Sequence, residues 1–301
     1  MLSEPKIDPE KNAAINAFSN QVLKSKELKL VEFNLPYAKY EFLRYMVEQK
    51  GVLGRGSNHP DVTVFEPQEG SDYFGDAVEA VFGATDGIWP IFFAIVNHSN
   101  PELTALWNSC KWASTDAGVL HKVYAFALNE DAFIGGAFIP GWVYLLPGDS
   151  FQPVESKFGL PTVECVSQKS VRPLARLSVS PQDFPFLEQV QRFDVQDMMT
   201  YQRALSAVSK VIEHLNGFTL FLDRREIPMP EIDRAIRFIK SFYPSWRLGL
   251  SGRFRDEASL EVHFPGGAIR FCKEELMGEI QSLHKGDLPV IIEKSPISQK
   301  R

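Results

Sequence analysis

The chain has 301 residues, enough for about two domains at roughly 150 residues each. Hydrophobic residues make up 44% of it, charged residues 23% and aromatic residues 12%, with 20 Gly, 20 Pro and 3 Cys, which excludes disordered, collagen-like and disulfide-rich proteins. The net charge of −6 gives no global attraction to nucleic acid or anionic lipid.

The cysteines and the first residues indicate a compartment. Cys110, Cys165 and Cys272 lie far apart without a CxxC motif, as expected in a reducing environment. Residues 1–12 lack the basic and apolar stretches of a signal peptide. The longest apolar run, 88–96, contains Pro90 and is too short for a membrane span. We therefore expect a cytoplasmic protein without a membrane segment.

The first third of the chain is predicted to hold two helices. A polar lead-in, residues 1–28, contains an apolar periodicity that predicts a helix over 12–26. Residues 29–33 read as a short strand. A second helix is predicted from Pro36 to residue 50, with Gly51 as its stop.

The middle of the chain is predicted to be rich in strands. Residues 87–97 fit either a buried helix after Pro90 or a buried strand, because periodicity does not separate the two. We expect an α+β domain with an antiparallel β-sheet over residues 29–187. The strands that the pattern predicts are 52–53, 62–65, 78–82, 122–128, 142–146, 163–167 and 175–179.

A second, smaller α/β domain is expected over residues 188–301. A strong helical periodicity covers 197–215 and places His214 in the last helical turn. The other elements predicted here are a strand at 220–222, a helix over 230–243, a hairpin of 259–264 with 268–272, and a helix over 273–283.

Charge differs between the two parts, with −7 in residues 1–187 and +1 in residues 188–301. Residues 224–255 carry eight basic side chains against three acidic ones, interleaved with aromatic residues. This mixture suits binding of a nucleic-acid backbone or a partner, with Arg247, Arg253 and Arg255 as candidates. The alternative, a solvated helix face followed by ordinary core aromatic residues, is the more usual explanation of such a run of charges.

Three short segments carry the candidate chemistry. Residues 52–58 read as a strand that runs into a Gly-Ser loop, where Gly56 lets a planar ligand approach the backbone and Ser57 offers a hydroxyl group. A polar surface turn is the alternative. Phe82 precedes Gly-Ala at the end of a strand, and Glu164 is the one acid in an apolar strand. Glu164 could instead face solvent. The histidines and cysteines have no metal-ligand spacing, so no metal site is predicted.

In this order, the three segments resemble the NAD-dependent ADP-ribosyltransferase fold of poly(ADP-ribose) polymerases and diphtheria toxin, over residues 29–187. The resemblance implies a split antiparallel sheet in which Gly56 and Ser57 hold the nicotinamide amide. It implies that Phe82 stacks on the nicotinamide ring and that Glu164 is the catalytic acid. Two positions depart from the family pattern: Arg55 replaces a His, and Phe82 replaces a Tyr. An Arg on the first strand of the toxin-like branch binds NAD phosphate or ribose, which is the role implied for Arg55.

The function implied is transfer of ADP-ribose from NAD to a macromolecular acceptor, protein or nucleic acid, with release of nicotinamide. NAD is then a substrate, and no other cofactor is expected. Two alternatives stay open. The first is a catalytically degenerate relative that binds NAD, nucleic acid or a protein partner, since one fold hosts many functions. The second is an unrelated two-domain interaction protein that binds through its basic C-terminal part.

Overall fold

Contacts between residues divide the chain into two units, each described here by itself. The larger unit comprises Leu2–Trp112 and His121–Phe193, and the smaller comprises Ala113–Leu120 and Asp194–Arg301 together with Met1. The structure is a computed structural model. It describes residues 2–5, 11–24, 28–71, 77–114, 120–155, 161–206, 208–214, 217–222, 229–242, 247–251, 259–264, 267–272 and 291–294.

The larger unit is α+β, as expected, and contains two mostly antiparallel sheets. Its helices are α1 (Asn12–Leu23), α2 (Lys39–Lys50) and α3 (Trp89–Ile95). Its strands are β1 (Leu2–Ser3), β2 (Lys29–Leu30), β3 (Val52–Ser57), β4 (Gln68–Ser71), β5 (Ala77–Ala84), β6 (Leu106–Ser114), β7 (Leu120–Asn129), β8 (Gly141–Pro147), β9 (Gln152–Glu155), β10 (Pro161–Ser167), β11 (Ala175–Val179) and β12 (Gln191–Phe193). The last two residues of β6 and the first residue of β7 are assigned to the smaller unit.

The main sheet of the larger unit has the order β2-β11-β8-β3-β5-β10-β9, and β4 pairs with the outer part of β5. Side chains alternate between its two faces. On β3, Val52 belongs to one hydrophobic cluster and Leu53 to another. The same division separates Val143 from Tyr144 on β8. Both faces of the central strands are therefore packed. The second sheet joins β1, β7 and β12, with β6 also paired to β7.

Local signals explain where α2 and α3 begin and end. The Glu41 carboxylate accepts a hydrogen bond from the Ala38 N–H at 3.2 Å, and Gly51 ends α2 in the left-handed conformation with φ 66°. The ambiguous segment 87–97 contains the helix α3. Its first turn carries Pro90, and Asp86 accepts hydrogen bonds from the N–H groups of Ile88 and Trp89. These features are N-terminal helix signals that a buried strand would not need.

The described residues of the smaller unit form two helices and a mixed six-stranded sheet. These elements are α4 (Val195–Ser206), α5 (Met229–Phe242), β13 (Val208–His214), β14 (Gly217–Leu222), β15 (Arg247–Ser251), β16 (Ser259–Phe264), β17 (Gly267–Cys272) and β18 (Ile291–Lys294). The strand order of the sheet is β13-β14-β15-β17-β16-β18. Tyr201 of α4 packs against Phe238 of α5, with ring centroids 5.5 Å apart.

Two predicted elements are wrong. The helix expected over 197–215 ends at Ser206, and Val208–His214 is a strand paired antiparallel with β14. The β-branched side chains of Val208, Val211 and Ile212 favour this strand. His214 consequently lies at a strand end. The strand expected at 62–65 is reduced to an isolated bridge between Phe65 and Val171.

Most other predicted elements are confirmed, including the helices near 12–26, 36–50 and 230–243 and the hairpin of 259–264 with 268–272. The helix expected over 273–283 lies outside the described residues. The domain boundary expected at residue 187 stays a prediction. None of the helices in the described part of the chain is long and apolar enough to cross a lipid bilayer.

Candidate functional site

Strand register brings the three predicted segments together. The strands β3, β5 and β10 are consecutive in the main sheet, although they are far apart in sequence. Gly54 is paired with Ala84, and Ala84 is paired with Glu164. These three residues therefore form one row across the sheet and project to the same face.

The sheet opens beside this row. Gly54 and Ala84 form the single register pair between β3 and β5, whereas β3 and β8 are paired at six positions. In a continued ladder, Gly56 would lie opposite Phe82. Instead, the Arg55 guanidinium donates a hydrogen bond from Nη1 to the Phe82 carbonyl oxygen at 2.8 Å. A side chain thus bridges the two strands where backbone pairing has stopped.

Helix α3 lies directly on the backbone of β3. A Cβ atom on Gly54 would lie 2.8 Å from Cγ of Pro90, and one on Gly56 would collide with the Pro90 carbonyl oxygen and the Ala94 nitrogen. Only glycine permits this approach. The two glycines therefore set the distance between α3 and the sheet.

A cavity of about 280 Å³ lies between α3 and the three strands. Its volume is close to the lower end of the range for small-molecule sites, roughly 300–1,000 Å³. The residues that line it are Gly54, Arg55, Gly56, Gly70, Phe82, Gly83, Ala84, Trp89, Pro90, Phe93 and Glu164. The wall is mostly apolar, with one cationic and one acidic side chain.

Arg55 is half-buried and forms no ion pair with any residue that the structure describes. Its guanidinium carbon lies 4.8 Å from the centre of the Phe65 ring. Burial lowers the pKa of Arg55 below its usual value, but a guanidinium stays protonated at neutral pH. A cation held by a carbonyl oxygen and an aromatic face keeps capacity for an anionic ligand.

Glu164 is 9% exposed, so the alternative of a solvent-facing strand residue is wrong. The strand β10 is buried on both sides at this point, since Val163 and Cys165 are also buried. Burial, followed by the charge of Glu164, raises the pKa of the Cys165 thiol to about 11. An acid in this low-polarity setting acts strongly on any charge that develops in the cavity.

Aromatic side chains form the opposing walls. The Phe82 ring packs over Gly70 of β4, where a Cβ atom would lie 2.9 Å from the ring. Trp89 and Phe93, one helical turn apart on α3, meet edge to face with centroids 6.4 Å apart. The Trp89 indole N–H donates to Asn108. A planar ring can therefore be held between β5 and α3.

Four of the five predicted cavity residues, namely Arg55, Gly56, Phe82 and Glu164, line the same cavity. Ser57 does not line it. The strand β3 extends through Gly56 and Ser57, so the expected Gly-Ser loop is wrong. The Ser57 hydroxyl oxygen accepts the His59 N–H at 3.1 Å, and one side of Gly56 is covered by α3.

The sequence prediction missed the contribution of α3. Trp89 and Phe93 were visible as part of an aromatic run, and their spacing places both on one helix face. The spacing is informative only if residues 87–97 form a helix and not a strand, which the periodicity leaves open. In the smaller unit, Arg247 begins β15, whereas Arg253 and Arg255 lie outside the described residues.

No family model, curated protein or solved structure matches the chain. Within the part of the chain that the structure describes, no group of three or more His, Cys, Asp or Glu side chains is arranged to hold a metal ion.

Proposed function

We propose that the larger unit binds NAD in this cavity and transfers ADP-ribose to a macromolecular acceptor, releasing nicotinamide. One observation carries the proposal: Arg55, Phe82 and Glu164 come from three separate strands and line a single cavity. Glu164 supplies the acid that the resemblance to ADP-ribosyltransferases implies, and Phe82 keeps the stacking face of the family's Tyr without its hydroxyl group. Arg55 stands where the family has a His, and the toxin-like branch has an Arg on its first strand. The acceptor is a macromolecule, either protein or nucleic acid.

The cavity suits part of a dinucleotide. Its volume of about 280 Å³ has room for the nicotinamide ring and its ribose, so the rest of NAD would extend from the opening. The ring would stack between Phe82 and the α3 aromatic residues. Arg55 is forked and cationic, and it would bind a phosphate or ribose oxygen.

Glu164 would supply the catalytic charge. Cleavage of the bond between nicotinamide and ribose sends the bonding electrons to the pyridinium ring and leaves an oxocarbenium-like centre on the sugar. A buried carboxylate near the ribose stabilises that positive charge. A nucleophile of the acceptor then bonds to the same carbon and loses its proton.

A second candidate function is binding of NAD, nucleic acid or a protein partner without transfer. The position of Ser57 favours it, because this hydroxyl group lies outside the cavity and already accepts the His59 N–H. The amide clamp expected of Gly56 and Ser57 is therefore incomplete. In this case NAD or another ligand would bind without release of nicotinamide.

Nicotinamide release from NAD separates the two candidates. The assay uses purified protein with cell lysate as the source of acceptors, and NAD binding is measured in parallel. We expect Glu164→Gln to reduce release by about 100- to 1,000-fold, the cost of removing one preorganised electrostatic group, with little change in NAD affinity. Glu79→Gln is the matched control, since Glu79 is exposed on β5 and does not line the cavity.

Binding of NAD without release by the wild type would favour the second candidate. Equal release by wild type and Glu164→Gln would remove Glu164 from the mechanism. If the protein neither binds NAD nor releases nicotinamide, both candidates are contradicted with NAD as the ligand.

A further inference from the structure

A cluster of charged and polar side chains lies behind the first turn of α3, buried at Asp86, Lys122, Arg44 and Tyr124 and reaching the surface at Glu4 and Glu48. It comprises Glu4, Arg44, Glu48, Asp86, Lys122 and Tyr124, and we call it the buried charge cluster. The Lys122 ammonium group lies 3.0 Å from Asp86, 3.2 Å from Glu48 and 3.4 Å from Glu4. Arg44 lies 2.9 Å from Glu4 and 3.6 Å from Glu48.

Asp86 is the centre of this cluster and is fully buried. One carboxylate oxygen accepts the N–H groups of Ile88 and Trp89 at 2.9 and 2.7 Å. The other accepts the Tyr124 hydroxyl at 2.8 Å and the Lys122 ammonium at 3.0 Å. Both oxygens therefore have two donors, and the carboxylate has no capacity for a ligand of its own.

These bonds fix where α3 starts. Gly87, between Asp86 and the helix, is packed so closely on α2 that a Cβ atom there would collide with the backbone of Arg44. Trp89 follows two residues after Gly87, and it lines the cavity together with Pro90 and Phe93. A change at Asp86 is thus transmitted to the cavity wall through one helical turn.

We infer that Asp86 is a positioning residue for the cavity: held by Lys122 and Tyr124, it sets the position of Trp89, Pro90 and Phe93 against the sheet. The inference rests on the proposed function only for the choice of NAD as the probe. Asp86 does not line the cavity. It acts on binding through α3, whereas Glu164 belongs to the sheet on the opposite wall.

The Asp86→Asn substitution keeps the shape and removes the charge. An amide oxygen can accept the N–H groups of Ile88 and Trp89, but the amide nitrogen then faces the Lys122 ammonium and the Tyr124 hydroxyl as a donor. If the amide rotates, the bonds to α3 are lost instead. Either arrangement leaves buried groups unsatisfied at the start of α3, and the rotated one also releases the first turn of the helix.

The variants have different kinetic signatures. Asp86→Asn should raise the KM for NAD at least about tenfold and leave kcat within about threefold, because ground-state binding is lost while Glu164 is unmoved. Tyr124→Phe, which removes one bond to Asp86 without a charge change, should give a smaller KM increase with the same kcat. Glu164→Gln should instead lower kcat and leave the KM for NAD nearly unchanged. Val22→Ala, a truncation in the core of α1, should only reduce the amount of folded enzyme.

A second measurement needs no ligand. In protein labelled with 5-fluorotryptophan, the Trp89 resonance is identified by its loss in Trp89→Phe. Asp86→Asn should shift this resonance and increase its H₂O/D₂O isotope shift, which reports solvent contact. Val22→Ala should leave it unchanged.

An unchanged KM for NAD in both Asp86→Asn and Tyr124→Phe would overturn the inference. If the wild type neither binds NAD nor releases nicotinamide, the proposed function fails, and the Trp89 resonance alone decides for or against Asp86. A resonance in Asp86→Asn identical to that of the wild type would then overturn the positioning role.

Discussion

Arg55 lies in an environment that favours an anionic ligand. Its guanidinium group is half-buried, and its contacts are the Phe82 carbonyl oxygen and the face of the Phe65 ring. Neither contact carries a full negative charge. A carbonyl oxygen and a ring face offset only part of the desolvation of a cation. A phosphate oxygen in the cavity would offset more, because it carries a negative charge.

Replacing Arg55 should therefore weaken NAD binding. We expect Arg55→Met to reduce the affinity about 10- to 100-fold, since hydrogen bonds to charged groups contribute about 1.5–3 kcal/mol. The NAD affinity of Arg55→Lys should lie between those of the wild type and Arg55→Met, because an ammonium group cannot form the paired hydrogen bonds of a planar guanidinium group. Isothermal titration calorimetry measures both.

Arg176→Met is the control for Arg55. Arg176 also lies over an aromatic ring, with its guanidinium carbon 5.1 Å from the centre of Trp142, and it pairs with exposed Asp61. Its loss should leave NAD binding unchanged. Wild-type affinity in Arg55→Met would contradict the assigned role.

At this scale, sequence reasoning found residue types better than residue surroundings. Arg55, Phe82 and Glu164 were named because the order of their three segments resembles the ADP-ribosyltransferase pattern. The burial of Glu164 and the exclusion of Ser57 depend on packing against other elements. Contacts such as His59 N–H to Ser57 are set by where β3 ends, and boundaries are the least certain part of a sequence prediction.

The contact between β3 and α3 is the element-level feature on which the cavity depends. Gly54 and Gly56 allow the helix to rest on the strand backbone. Close packing of this kind tolerates no added atoms without movement of one element.

We expect Gly56→Ala to displace α3 and abolish NAD binding, with a loss of about 3 kcal/mol in the free energy of unfolding. Gly51→Ala is the control, since a Cβ atom there meets nothing within 4 Å and only the φ of 66° is strained. That strain should cost about 1 kcal/mol and leave NAD binding unchanged. Urea denaturation and calorimetry distinguish the two variants. Equal NAD affinity in Gly56→Ala and the wild type would show that α3 does not form the wall.

Element types were predictable where periodicity and end signals agree. The helix α2 has both an apolar face and Gly51 at its end. For 87–97, the decisive signal is an acid shortly before Pro90, because the Asp86 carboxylate accepts the N–H groups of Ile88 and Trp89 where the helix starts. The segment 208–214 was predicted incorrectly because its apolar spacing fits a helix, whereas its pairing partner β14 makes it a strand. Tertiary pairing overrode the local pattern there.

Across the larger unit, the buried charge cluster joins α2, β7, the start of α3 and the segment after β1. Burial alone would lower the pKa of Lys122, but the carboxylates of Asp86, Glu4 and Glu48 outweigh it and raise the pKa above the ordinary 10.5. A lysine whose pKa is higher in the folded state than in the unfolded state stabilises the fold at pH values below its unfolded-state pKa. That stability is lost as the pH rises through the folded pKa.

We expect Lys122→Met to lower the free energy of unfolding by about 3 kcal/mol at neutral pH, because it leaves the buried Asp86 carboxylate without its cation. The difference from the wild type should stay constant up to about pH 10 and shrink above it. Tyr124, whose pKa is also raised by burial, is present in both proteins. Lys39→Met, which breaks a partly exposed pair with Asp183, should cost less than about 1 kcal/mol.

Urea denaturation at several pH values measures this difference. A difference that grows above about pH 10 would contradict the sign of the Lys122 shift. If Lys122→Met loses no more free energy of unfolding than Lys39→Met, the cluster does not contribute the expected stability.

The order of the strands lay beyond sequence reasoning. Neighbours such as β11 with β8 and β5 with β10 are distant in sequence, and β2 pairs in parallel with β11. Local patterns predict that strands exist but carry no information on which long-range pairs form. The row of Gly54, Ala84 and Glu164 follows from these pairings.

The first experiment to perform is an assay of nicotinamide release from NAD by the purified wild-type protein. We expect release above the protein-free rate, reduced at least about 100-fold by Glu164→Gln and unaffected by Glu79→Gln. An absence of release, together with no effect of NAD on the melting temperature, would contradict the claim that this cavity is an NAD site.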